Sequence, residues 1–285
     1  MSAQIFIGTG NVARSVSNIF VGVNGEARSV RRAYVGVNGR ARLVWEAAPP
    51  PDPVFANNTW AQIARAAQRN QIPPTWAVGS QKDITLGDLM VDSPLGDVGV
   101  SADSRATLTL QICGFDHDDL SSGGKAKITL GMRQLTAQRP TINHSATNAG
   151  GFSGSMRYAW LASDLWNALP ADLRKVIKPV LKRTSQGGTS PNILAQSMSL
   201  FLFSEAEIFG AASFSFPGEG AQYPIFAGAE PHIKMLANGT GAAGWWWTRS
   251  PARANATMFC NVSNLGVSGQ ASANTIRGIC FGCCI

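Results

Sequence analysis

The first 46 residues say the same thing three times. "IFIGTGNVARSV", "IFVGVNGEARSV" and "AYVGVNGRARLV" begin at Ile5, Ile19 and Ala33, which spaces Phe6, Phe20 and Tyr34 fourteen apart and Arg14, Arg28 and Arg42 likewise. Each unit reads as strand, turn, strand. Alternating Ile, Val and aromatic residues lead into Asn24-Gly25 or Asn38-Gly39, which supply the positive φ of a tight hairpin, and an Ala-Arg-x-Val strand returns. The first copy is degenerate, with Thr9-Gly10-Asn11 where the others have Val-Asn-Gly. Gly8, Gly10 and Ala13 imitate a dinucleotide-binding fingerprint, but no helix follows Gly10 and the block recurs, so a cofactor loop is set aside. Hairpins of this size are marginal alone and need stacking, a partner or the rest of the chain.

"AAPPPDPVF", from Ala47 to Phe55, cannot join a sheet interior and is expected to stay extended as a linker. The expected organisation is therefore a hairpin-repeat adaptor over 1–46, a Pro-rich linker over 47–55 and one large domain over 56–285, which is long enough to bury a sizeable core. With 45% hydrophobic residues, 30 glycines and only 14% charged residues, the chain suits a loop-rich globular protein rather than a disordered or coiled-coil one. The net charge of +7 permits a polyanionic partner, and Arg28, Arg31, Arg32, Arg40 and Arg42 form a local basic patch, read first as a solvated face. No apolar run reaches the ~18 residues of a membrane helix, and the N-terminus lacks a signal-peptide pattern, so no membrane insertion and a cytoplasmic origin are expected. Five cysteines, three of them at Cys280, Cys283 and Cys284, give no disulfide framework and are expected to be reduced packing residues. The Asn-x-Ser/Thr matches, Asn57, Asn143 and Asn238 among them, matter only in a eukaryotic secretory pathway and are taken as chance.

Past the linker, "TWAQIARAAQRN" places Trp60, Ile63, Ala64 and Ala67 on one helical face. "TWAVGSQKDITL" and "ATLTLQICGFDHDDL" read as strands, the second alternating Thr107, Thr109 and Gln111 with Leu108, Leu110 and Ile112. Its end gathers Asp116, His117, Asp118 and Asp119. This is the densest set of potential metal ligands, but its spacing fits neither a calcium loop nor a zinc motif, so a backbone-bonded loop is preferred and no metal or cofactor is expected. "SDLWNALPADLRKVIKPVLKRTS" suggests a helix capped by Ser163 or Asp164, then a second helix from Pro170 with Lys182 and Arg183 near its C-terminal end. "MSLFLFSEAEIFG" reads as a buried strand over Leu200–Phe203 entering a turn. Glu205 and Glu207, two apart on a strand, share a face by geometry before any catalytic role need be invoked.

Two resemblances join these readings. The repeats, over about Gln4 to Trp45, resemble "YVGVNGxAR" modules of tail-associated proteins of bacteriophages and prophages of Gram-positive hosts, which implies attachment to other virion proteins. From Thr59 onward "TWAQIARAAQ", "CGFDHDDL", "TNAGGFSGSMR", "LPADLRKVIKPVLKRTS", "LFLFSEAEIFG", "GEGAQYPIF" and "WWWTRSP" resemble, in order, an uncharacterised domain family of Gram-positive phages and gut bacteria. That family looks like a distant relative of the C-type-lectin and formylglycine-generating-enzyme fold, used for the variable proteins of diversity-generating retroelements. The resemblance implies an α+β, C-type-lectin-like domain with short helices and irregular loops. It also implies a virion location on tail or fibre, a homo-oligomer such as a trimer, and recognition of a host-surface protein or glycan. The cysteine-based copper site of the oxidase branch has no counterpart here, so no enzyme is expected; a fixed structural virion protein is the alternative.

The expected binding surface lies at the C-terminus. On a strand Trp245 and Trp247 face one way and Trp246 the other, so the triplet anchors both a core and a rim. From Ala252 to Thr275 small polar residues dominate, whose exchange would not repack a core. Asn255, Asn261, Asn264 and Asn274 stand out because asparagine codons are adenine-rich. Arg253, Thr257, Ser263, Ser268, Gln270 and Ser272 complete the expected ligand-binding set with Trp245 and Trp247, with ordinary surface turns as the alternative reading.

Overall fold

The structure, a computed structural model, describes residues 6–9, 12–15, 19–46, 49–92, 98–101, 103–228 and 230–285. The chain divides into two compact units, Met1–Pro50 and Pro51–Ile285.

The first unit consists of three antiparallel hairpins: β1 (Phe6–Thr9) with β2 (Val12–Ser15), β3 (Phe20–Val23) with β4 (Glu26–Ser29), and β5 (Arg32–Val37) with β6 (Arg40–Glu46). Asn24 and Gly25, like Asn38 and Gly39, take the positive φ that a two-residue hairpin turn demands (52° and 83°; 50° and 72°). Gly10 and Asn11 of the degenerate copy lie outside the described residues, as do Ala47 and Ala48 of the expected linker.

The linker is shorter than its prolines suggest, because its second half docks. Phe55 is buried and meets Trp60 and Trp76 edge-on, at 6.5 and 5.2 Å between ring centres. The Asn58 amide donates to the carbonyls of Asp52 and Val54, and the Trp76 indole N–H also donates to Asp52. An aromatic anchor and three backbone-directed hydrogen bonds outweigh the extended preference of the prolines.

In the second unit α1 (Trp60–Gln68) is the amphipathic helix expected, with Trp60, Ile63, Ala64 and Ala67 buried. Thr59 and Gln62 close a reciprocal capping box at its start. Then come β7 (Gln81–Thr85), β8 (Met90–Asp92), β9 (Val98–Val100), β10 (Thr107–Phe115) and β11 (Ile128–Met132). The next helix begins earlier than expected, at α2 (Met156–Trp160) capped by Ser155. It passes through a π-helical stretch at Leu161–Leu165, which contains Ser163 and Asp164, into α3 (Trp166–Ala168). α4 (Ala171–Arg174) lasts one turn, so Lys182 and Arg183 belong to no helix end. They sit instead in β12 (Val180–Ser185), whose burial alternates and which pairs with β13 (Ile193–Met198). After β14 (Phe201–Leu202), Glu205 and Glu207 lie in the first turn of α5 (Glu205–Phe209), not on a strand. Ser204 and Glu207 form the capping box that starts it, a Ser-x-x-Glu signal that the strand reading passed over.

The remaining strands are β15 (Lys234–Met235), β16 (Ala243–Gly244), β17 (Trp246–Pro251), β18 (Met258–Val262), β19 (Ser268–Ser272) and β20 (Phe281–Cys284). A five-stranded antiparallel sheet in the order β14-β20-β11-β10-β7 forms one part of the core, and the three-stranded sheet β17-β18-β19 another. This is an α+β architecture of several small sheets and short helices. Across β11 and β20 Gly131 pairs with Gly282, and the Phe203 ring lies so close that a Cβ on Gly131 would come within 2.7 Å of it. β20 is covered on both faces, so Cys280, Cys283 and Cys284 are buried beside Ile279, Phe281 and Ile285 rather than alternating with them.

Candidate functional site

The C-terminal sheet rests on a buried charge network assembled from six separate stretches of chain. Lys182, on β12, donates from Nζ to Asp118 at 2.7 Å and to Tyr223 Oη at 2.8 Å, and it pairs with Glu207 at 2.6 Å. Asp118 also accepts from Tyr223 and, at 2.6 Å, from Thr129. Glu207 receives both ends of the Arg249 guanidinium, while Arg249 also donates to the carbonyls of Leu202, Arg183 and Glu219. Lysine and arginine, each nearly excluded from solvent, hold the carboxyls of Asp118 and Glu207 below the usual carboxylate range against the opposing effect of burial. Two cations thus balance two carboxylates.

Glu219 stands outside that balance. It accepts from the Ser185 N–H and the Thr184 hydroxyl and meets the Ser250 hydroxyl, which ties β12 to β17. Burial pushes its carboxyl up to about 7 despite these donors and Arg249 nearby. Glu205 makes a second tie: it accepts the backbone N–H groups of Phe214 and Ser215 and the hydroxyls of Ser215 and, on β19, Ser268. Glu205 and Glu207, the two neighbouring carboxylates of the sequence, are thus both engaged as fastenings under the sheet.

The acidic loop behaves the same way. Asp116 pairs with Lys127 and Asp119 with Lys125, each at 2.8 Å, and Asp118 turns inward. His117 stacks on Tyr223 with ring centres 3.8 Å apart. Among the described residues, no group of three or more His, Cys, Asp or Glu is placed to hold a metal ion.

Above the network β17 pairs with β18 and β18 with β19, and the exposed side chains stand in the connecting loops, on the flanks of the sheet and, for Gln270, on β19 itself. Trp245 is 40% exposed, with the Arg277 guanidinium 5.0 Å over its ring. Trp246 and Trp247 are both fully buried, because the sheet is covered on each face: their indoles donate to the carbonyls of His232 and Pro140. Trp247 therefore cannot serve on a binding surface. Asn261, directly opposite it on the central strand, is equally buried, and Ser263 is nearly so, its hydroxyl accepting from the N–H groups of Leu265 and Val267 to close the β18–β19 turn. These three members of the sequence-derived set are corrected to structural positions.

Arg253, Thr257, Gln270 and Asn274 are exposed, and Asn255, Asn264, Ser268 and Ser272 half-buried. Some carry local duties: Asn255 Oδ1 accepts from Thr257 N–H and Oγ1, Ser268 reaches Glu205, and Ser272 donates to Asn274. The structure adds Leu265, Val267 and Ile276, exposed by 74, 58 and 49%, which a search for small polar residues could not find. It also adds Asn148, wholly buried. Its amide donates to the carbonyls of Asn255 and Met258 and its Oδ1 accepts from Gly188 N–H, which fixes the loop after β17.

No curated protein and no solved structure matches the chain. A family model, described as domain of unknown function (DUF6273), matches residues 127–285, a span that holds Thr129, Lys182, Glu207, Glu219 and Arg249 of the network and the whole C-terminal sheet. More than half of the chain lies in that match, and the protein belongs to the DUF6273 family.

Proposed function

We propose that this protein is a phage-associated display protein that recognises a host-surface protein or glycan through the surface carried by β17–β19 and their loops. One observation carries the reading: a mixed set of exposed side chains stands on a three-stranded sheet tied to the chain beneath it by the Arg249–Glu207 ion pair and by the hydrogen bonds of Ser250 to Glu219 and Ser268 to Glu205. Trp245 with Arg277, Leu265, Val267 and Ile276 supply apolar and aromatic area, and Arg253, Gln270 and Asn274 supply hydrogen-bonding groups beside them. That is the composition of an adaptable paratope on a rigid frame, in which aromatic area costs little side-chain entropy and small polar groups adjust. The α+β arrangement of small sheets and short helices is compatible with the C-type-lectin-like fold implied by the sequence motifs, and retroelement-directed diversification of this surface belongs to the same proposal. Asp118, Glu205 and Glu207, acids an enzyme alternative would call on, are buried and hydrogen-bonded within the chain, which supports the display reading over that alternative.

The test is binding of the labelled full-length chain to an array of purified bacterial cell-envelope glycans and surface proteins, with Trp245→Ala and Gln270→Ala beside the wild type. The proposal expects at least one saturable ligand whose affinity falls about tenfold or more in Trp245→Ala, as for an aromatic anchor of ~1.4 kcal/mol or more. Saturable binding indifferent to both substitutions would move the site elsewhere, and burial of this surface against neighbouring subunits in an assembled particle would favour the fixed structural role.

A further inference from the structure

The hairpin unit leaves uncovered what a folded chain normally hides. Phe20, Val21, Val23, Tyr34, Val35 and Val37 are all between 36 and 61% exposed, and Leu43 is 39% exposed. In an antiparallel pair directly opposed residues share a face, so the register sorts these side chains into two surfaces. One carries Phe20 opposite Ser29, then Gly22 opposite Ala27, and the second hairpin repeats it as Tyr34 opposite Leu43, then Gly36 opposite Ala41. The other carries valine against charge: Val21 opposite Arg28, Val23 opposite Glu26, Val35 opposite Arg42 and Val37 opposite Arg40, three arginines to one glutamate.

The first surface is self-complementary. An aromatic knob stands beside a Gly–Ala floor, and a Cβ built on Gly22 or Gly36 would meet nothing within 4 Å, so each floor is an open notch. Among the described residues of the hairpin unit, no atom fills these notches. We propose that a second copy of this chain fills them: Phe20 and Tyr34 of one copy seat on the Gly–Ala floors of the other, and the hairpin unit is a self-association module.

Charge favours this face over its opposite. Near Tyr34, Arg32 is neutralised by Glu46 at 2.7 Å. Arg28, Arg40 and Arg42 have no carboxylate partner among the described residues, and they all lie on the valine surface. Association through the rings turns these charges outward on both copies, whereas association through the valines would press together two faces that each carry three arginines and a single carboxylate, Glu26. Area sets the number of hairpins required. A fully covered aromatic ring buries about 150–250 Å². Two rings from each copy therefore fall short of the ~1,200 Å² of a stable interface unless the floors, Leu43 and the third repeat contribute. That remaining repeat, the degenerate first copy, has the same backbone register, with Gly8 opposite Ala13.

The test uses sedimentation equilibrium of the full chain at ten to a hundred micromolar, beside the double variants Gly22→Val/Gly36→Val and Arg28→Glu/Arg42→Glu. Valine suits a strand, and both sites have room for its Cβ, so the notch is filled without unfolding the hairpin; circular dichroism of each variant checks that. The proposal expects a wild-type mass that is a multiple of the 30.1 kDa chain, a return to 30.1 kDa for the glycine variant, and little change for the arginine variant. A monomeric wild type overturns it. So does an oligomer unaffected by the valines, or one that the arginine reversals alone dissociate. Ligand binding by the C-terminal surface is read separately, so either claim can fail without the other.

Discussion

Replacing Glu219 by glutamine should make the protein more stable at alkaline pH. The carboxyl is completely buried, touches Ser250, Thr184 and the Ser185 N–H, and titrates near 7 against an ordinary value of 4.5. Below pH 4.5 both folded and unfolded chains hold its proton and it contributes no penalty. Between 4.5 and 7 only the folded chain keeps the proton, so stability falls as pH rises through that window and levels off above it. A raise of about 2.5 units, at ~1.4 kcal/mol per unit, corresponds to about 3 kcal/mol. Glutamine imitates the protonated acid: its oxygen still accepts from Ser185, and its amide donates toward Ser250. Urea unfolding at pH 5 and pH 8.5, followed by tryptophan fluorescence, gives the comparison. Glu219→Gln should gain about 3 kcal/mol over wild type at pH 8.5 and about 1 kcal/mol or less at pH 5. An equal loss at both pH values would refute the reasoning, because it would mean that the ionised carboxylate is the form the fold requires.

Further outcomes follow from the other buried groups. Lys182→Met leaves Asp118 and Glu207 without their shared cation and should cost about 3–5 kcal/mol in urea unfolding at pH 7; since both carboxyls are held below their usual range, the wild type should lose the network's stabilisation only as pH falls through that lowered range. All five cysteines are free and buried, with the Cys283 thiol pushed up to about 12, so a thiol reagent at pH 8 should label none within minutes on the native protein and all five once it is unfolded.

Local signals in the sequence placed what depends on local physics. The Asn-Gly turns named the hairpins, and the spacing of Trp60, Ile63 and Ala64 named α1, because φ preference and helical periodicity act over a few residues. The network was invisible for the opposite reason. Asp118, Lys182, Glu207, Glu219 and Arg249 are scattered over 130 residues, and nothing in the run "KPVLKRTS" says that Lys182 points inward while Arg183 points out. A charged residue in a short strand carries no mark of burial until its partner arrives from another element. The tryptophan triplet misled through its period: alternation correctly separates the faces of β17, but both faces are covered, so Trp246 and Trp247 are core alike and only Trp245, just outside the strand, reaches solvent. The Ser204-x-x-Glu207 box was readable and was masked by the apolar run before it.

The central claim is a fixed, charge-locked frame beneath a surface free to change, and deep sequencing of this gene's last hundred or so codons across a natural population tests it most directly. The account predicts substitutions concentrated in adenine-containing codons at outward positions such as Arg253, Asn255, Thr257, Asn264, Gln270 and Asn274, with Trp247, Arg249 and Asn261 unchanged. Variation spread evenly over buried and exposed codons, or a silent segment, would contradict it and leave a fixed structural protein.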